Sequence, residues 1–138
     1  SVEFICCSAE NIPLPDNSID VIISTWVLGT ILEVDRRNKV LDEMKRVLKN
    51  DGNIYLVEND IGGEFEEIRN RYPDIKRTKR YNDWIESQGF VCENRFETYF
   101  KFKDKEQAKK VFSNIWGEKI GSKVKNDIIK QNIIIYKS

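Results

Sequence analysis

Glu58-Asn59-Asp60 places two carboxylates one residue apart at the end of an apolar run. Carboxylates in such a position can take up a proton or bind an amine. On a loop between a strand and a helix they can equally serve as solvated or capping residues. The sequence contains no histidine, which removes His-based triads, His-rich metal sites and the commonest general base at neutral pH. Cys6, Cys7 and Cys92 are odd in number and lack metal-ligand spacing, so no metal site is expected. They read as buried free thiols of a reducing, cytoplasmic protein. The densest basic stretch, Arg69–Arg80, carries Arg71, Lys76, Arg77, Lys79 and Arg80. It can form a phosphate-binding patch or a solvated face.

The elements that must position these residues follow from patterning. Val2–Cys6 is a short apolar run suited to a strand, and Asn11–Ser18, with two prolines, is a loop. Ile19–Ile23 is almost wholly β-branched and reads as a parallel strand covered on both faces. Asp35 is placed to cap the next helix. Val40, Leu41, Met44, Val47 and Leu48 share one face of that helix, and Asn50-Asp51-Gly52 should end it. Ile54–Val57 is the next strand, which completes a βαβ unit. A helix from Glu64 to about Arg71, a basic loop at Pro73 and a short helix Tyr81–Ser87 closed by Gly89 come next. Phe90–Phe102 alternates charged with aromatic residues, as an antiparallel or edge strand with one wet face does. Asp104 should cap a helix with Ala108, Val111, Phe112 and Ile115 on one face, broken at Gly117 and Gly121. Asn132–Tyr136 is the last strand. Tyr81 and Trp84 can wall a binding site or belong to the core.

Composition bounds the class. With 40% hydrophobic and 33% charged residues, the 138-residue chain is that of a globular domain and not a disordered one. No apolar run reaches the ~20 residues that span a bilayer, so no membrane partner is expected. Residues 1–63 hold 6 Lys/Arg against 11 Asp/Glu and residues 64–138 hold 17 against 12, so an acidic first half is balanced by a basic second half.

Two strings carry a family resemblance. Ala9-Glu-Asn-Ile-Pro-Leu-Pro-Asp-Asn-Ser-Ile-Asp-Val-Ile-Ile-Ser-Thr-Trp-Val-Leu28 and Arg46-Val-Leu-Lys-Asn-Asp-Gly-Asn-Ile-Tyr-Leu-Val-Glu58 resemble the second half of a class I S-adenosylmethionine-dependent methyltransferase domain of type 11. The resemblance implies an α/β, Rossmann-like sheet whose last strand is antiparallel and inserted between the fifth and sixth. It implies that Ser8, Ala9 and Glu10 border the adenine of the cofactor, with Ser8 where the family has an acidic residue. Ser24, Thr25 and Trp26 would hold its methionine part at the C-terminal end of a strand, where open α/β sheets place ligands. Glu58, Asn59 and Asp60 would line the pocket of a small-molecule acceptor.

Only eight residues precede Ala9, where the family places two strands, two helices and a glycine-rich loop, and the sequence has no Gly-x-Gly. The expectation is a single partial domain over residues 1–138, truncated in its N-terminal half and by itself incomplete for binding S-adenosylmethionine. The Ile19–Ile23 strand would then be an exposed edge, closed by pairing with Val2–Cys6 or by a homodimer through that edge. The alternative to methyl transfer is a non-catalytic half-fold subunit or oligomerising module. RNA binding through Arg69–Arg80 is a third reading. Against it, that run lacks the interleaved aromatics of single-strand readers, and nucleic acid is not the expected partner.

Overall fold

The computed structural model describes residues 2–69 and 76–138. In chain order the elements are β1 (Ile19–Thr25), a single 3-10 turn (Leu28–Thr30), α1 (Val34–Val47), β2 (Leu48–Asn59), α2 (Gly63–Arg69), α3 (Arg77–Ser87), β3 (Val91–Lys101), α4 (Lys105–Trp116), α5 (Glu118–Gly121) and β4 (Ile128–Lys137). The four strands are ordered β1-β2-β4-β3. β1 and β2 run parallel, with Ile22 opposite Ile54 and Thr25 opposite Val57. The last strand runs antiparallel to both neighbours. The Ser138 and Asp60 amides bond the carbonyls of Ile54 and Asn132, and the Phe102 amide bonds that of Asp127. The insertion of the last strand inside the sheet is therefore as the resemblance implies.

Two compact units divide the chain, residues 1–58 with 135–138 and residues 59–134. In the first, α1 buries Val40, Leu41, Met44 and Val47, and β2 buries Ile54 and Leu56. Several local expectations are corrected here. Val2–Cys6 forms no strand; it is not paired with β1, and Val2 and Phe4 are exposed. β1 is not covered on both faces. It is the end strand of the sheet, and Val21 (51%) and Ile23 (68%) stay open to solvent. Asp35 does not cap α1. Glu33 takes that position without a side-chain bond, and Asp35 sits in the first turn, where its charge still favours the helix dipole. α1 passes into β2 without a glycine cap because the Asn17 and Ser18 amides already satisfy the Arg46 and Val47 carbonyls. Lys49–Gly52 instead falls at a shift of register within the β1–β2 pair. A Cβ on Gly52 would lie 2.8 Å from the Asp20 carbonyl oxygen, so close backbone approach, and not positive φ, requires glycine there.

In the second unit α2, α4, α5 and β4 enclose Phe65, Ile68, Ala108, Phe112, Ile120, Val124 and Ile129, with Phe102 and Trp116 against them. Phe112 lies edge-on to Phe65 and Phe102 at 6.0 and 6.1 Å and tilted against Trp116 at 4.8 Å. Asp104 caps α4 by accepting from the Gln107 amide at 2.8 Å, while Gln107 accepts from the Lys103 amide. Ile115, expected on the buried face of α4, is 60% exposed. β3 is open on both faces apart from Thr98, not wet on one alone, because it ends the sheet; Phe100 still reaches the Phe65 ring at 5.1 Å. Cys6, Cys7 and Cys92 are free but exposed, not buried.

Candidate functional site

Ser8, Ala9 and Glu10 form a turn. The Asn11 amide bonds the Ser8 carbonyl at 3.0 Å and the Glu10 amide bonds Ser8 Oγ at 3.2 Å. The Ser8 hydroxyl thus keeps one lone pair and its proton for another partner. The Glu10 carboxylate is held by Arg36 of α1 at 2.6 Å, which raises the Arg36 pKa through that hydrogen bond.

Beyond the turn, the Ile12-Pro-Leu-Pro-Asp16 loop is fixed by a pair of residues that sequence reasoning missed. From α1, Arg46 donates to the Ile12 and Leu14 carbonyls at 2.8 and 2.9 Å and pairs with Asp16 and Glu43. Glu43 in turn accepts the Ile12 amide at 2.8 Å. The Arg46 hydrogen bonds, then that of the Ile12 amide, bring the Glu43 carboxyl down to about 2. The hydrogen bonds to Glu43 and Asp16 raise Arg46 further above its ordinary range. The signal in the sequence was the i, i+3 spacing of opposite charges; what the pair grips is tertiary. The loop leads directly into β1 and so sets where that strand's C-terminal end falls.

At that end stand Ser24, Thr25 and Trp26. Ser24 is buried and its Oγ has no hydrogen-bond partner. Thr25 is exposed. Trp26 donates its amide to the Val57 carbonyl at 3.0 Å, and its φ of 52° is left-handed. A non-glycine residue in that region is uncommon and strained, and such strain gathers at ligand sites. Its side chain is 43% exposed, so it is not a core residue. One residue beyond Val57, Glu58 is buried with 1% exposure. In the first unit, Ser8–Glu10 are therefore fixed by their own turn and by α1, and Ser24–Trp26 by β2.

Asn59 and Asp60 belong to the second unit. Asn59 Oδ1 accepts from Gln131 Nε2. Asp60 accepts from the Ile61 amide at 2.8 Å and pairs with Arg95 at 2.9 Å. Both side chains are bound into the fold and neither is a free carboxylate or amide. Tyr81 and Trp84 are half-buried and stacked on each other at 5.9 Å. Two described residues of the basic run have separate partners. Arg69 lies over the Phe65 and Trp116 rings, and Lys79 pairs with Asp83; Arg71 and Pro73 lie outside the described residues. Among those residues no helix is long and apolar enough to cross a membrane.

Known proteins resemble parts of this chain. Residues 1–56 match the model of the methyltransferase domain family. The curated ubiquinone/menaquinone biosynthesis C-methyltransferase UbiE of Campylobacter jejuni is 33% identical over 75 residues, which are 52% of this chain and 31% of that protein. The chain thus spans about a third of that relative's length. Among solved structures, an S-adenosylmethionine-dependent methyltransferase of Methanosarcina mazei matches with a TM-score of 0.56 at 16% identity. The match covers 99% of this chain and 66% of that one. Another from Aquifex aeolicus matches with a TM-score of 0.51 at 18% identity, over 97% and 54%. At such identities the likeness establishes the fold alone, an α/β, Rossmann-like one.

Proposed function

We propose that this chain serves S-adenosylmethionine-dependent methyl transfer to a small-molecule acceptor, with Ser24, Thr25 and Trp26 as its principal cofactor-facing residues. The observation that carries the reading is the buried, unpartnered Ser24 hydroxyl, followed two residues later by the left-handed Trp26 backbone. A buried hydroxyl without a partner is costly to the fold, and a ligand's polar group at the strand end would satisfy it. Ser8 can add a hydrogen bond from its remaining lone pair, and the backbone of Ala9 and Glu10 lies in the same turn.

When bound, S-adenosylmethionine supplies a methyl group on a leaving group that is already activated. The chain's contribution is then positioning and exclusion of water, which accounts for much of the barrier in such reactions. Histidine is not required for that. Isothermal titration of the chain with S-adenosylhomocysteine tests the proposal. Heats of binding that Ser24→Ala weakens support it, and an affinity unmoved by that substitution counts against the site.

A second reading, an oligomerising module without catalysis, is favoured by the open edge of β1 with Val21 and Ile23 exposed. Two copies of β1 pairing antiparallel about Ile22 would set Val21 against Ile23 and Asp20 against Ser24, with no like charges opposed. Micromolar binding of S-adenosylhomocysteine by the chain alone would reject the non-catalytic part of this reading.

A further inference from the structure

β3 closes one end of the sheet, and no strand of the described residues lies beyond it. The Phe102 amide, just past its end, points inward to the Asp127 carbonyl at 2.8 Å. Backbone groups of an antiparallel strand alternate in direction. The amides and carbonyls of Val91, Glu93, Arg95, Glu97, Tyr99 and Lys101 therefore point outward. One of them, the Arg95 amide, is met by the adjacent Asn94 side chain at 2.8 Å, a local bond that a neighbouring strand can replace. Such an edge is a template for another chain unless its side chains oppose pairing.

The side chains do not oppose it. Phe96 is 44% exposed, and Val91, Tyr99 and Phe100 are exposed as well. Arg95 and Glu97 flank Phe96 and are steadied from within the same unit by Asp60 and Lys130, each at 2.9 Å. A guanidinium has several donors and a carboxylate several acceptor positions, so such a bond does not exclude a second partner. Phe96 is also the midpoint of the 11-residue strand.

We propose that the outer edge of β3 pairs antiparallel with the same edge of a second copy, about a two-fold axis at Phe96. This surface is distinct from the β1 edge and does not depend on the methyl-transfer reading. Register carries the argument. With the axis at Phe96 the whole of Val91–Lys101 overlaps, and each Arg95 stands opposite Glu97 of the second copy. Glu93 then meets Tyr99, Asn94 meets Thr98, and the two Phe96 side chains face each other where paired strands come closest. Moving the axis to Arg95 or Glu97 opposes like charges at the centre. Moving it to Asn94 or Thr98 leaves one end of the strand unpaired. The register that pairs the most edge is thus the one in which the charges match, and a second copy is the occupant that supplies that order.

Charge exchange tests the register. Arg95→Glu opposes acidic side chains on both sides of the axis, and Glu97→Arg opposes basic ones. Each variant alone should self-associate roughly tenfold more weakly than the unmodified chain in light scattering across a concentration series. Mixed in equal amounts, the two should recover the dimer, because every opposed pair is then Glu with Arg. Ile23→Lys, on the β1 edge, should leave the association unchanged. In the unmodified chain, amide exchange at Glu93, Arg95, Glu97 and Tyr99 should slow as concentration rises, and that measurement decides alone if a variant does not fold. A monomer at every concentration overturns the proposal. So do variants that associate like the unmodified chain, or a folded mixture that fails to recover the dimer. Protection that rises in β1 in place of β3, and is lost in Ile23→Lys, also overturns it and assigns the dimer to the other edge.

Discussion

Residues 1–58 are organised by a polar clamp, and residues 59–134 by an aromatic core. In the first region Arg46 and Glu43 reach from α1 to tie down the Ile12–Asp16 loop through backbone carbonyls and an amide. Yet Val2, Phe4, Val21, Ile23 and Leu32 are left exposed. In the second, Phe65 of α2 and Phe112 and Trp116 of α4 interlock, with Ile120, Val124 and Ile129 in the same cluster. The first region carries the family's strings, and the second is like the family only in its order of elements. The difference teaches that a motif marks where polar contacts hold the chain in one geometry. It does not mark where apolar burial holds the chain together.

If that division is right, the largest loss of stability should come from the region without a motif. Phe112→Ala removes a side chain that is 2% exposed and touches three rings. It should cost about 3–5 kcal/mol in urea unfolding, with loss of hydrogen-exchange protection across residues 59–134. A cost below that of any clamp substitution would break the comparison. Gly52→Ala comes next. Its Cβ meets the Asp20 backbone oxygen and the Leu48 side chain, and only the side chain can yield cheaply. We expect roughly 1–3 kcal/mol, with faster amide exchange in β1 and no change around Phe112.

The clamp sharpens the comparison through pH. Glu43 has an ordinary pKa of 4.5 and is held at about 2 in the fold. A carboxyl so depressed binds its proton more tightly when unfolded, so the stability it contributes is present above 4.5 and is lost as pH falls toward 2. Glu43→Gln should lower the melting temperature at neutral pH and flatten its fall between those values. An unchanged acid profile would mean that the pair does not hold the loop in solution.

The sequence made much of the fold legible and little of the site. βαβ order, the buried face of α1, the Asp104 cap and the insertion of the last strand all followed from local periodicity, capping chemistry or family order. The misses share a cause. Whether β1 is covered and whether Asn17 and Ser18 replace a glycine cap depend on residues distant in sequence. Glu58-Asn59-Asp60 drew attention as a carboxylate pair, but folding buries Glu58 and commits Asp60 to Arg95.

The smallest effect on stability should come from the exposed strand, where it bears most on association. Ile23 is 68% exposed, so Ile23→Lys should change unfolding free energy by no more than about 0.5 kcal/mol. An edge that pairs with a second copy would lose that association, because a lysine ammonium would stand beside the apolar Val21 across the new strand pair. Light scattering across a concentration series decides between the cases. A dimer for the unmodified chain and a monomer for Ile23→Lys supports edge pairing. A monomer in both removes the oligomerising reading and leaves the open face of β1 to be explained by ligand binding at its C-terminal end alone. In that case Ser24→Ala, which touches no apolar surface of the strand, becomes the substitution that separates a motif kept for function from one kept for folding.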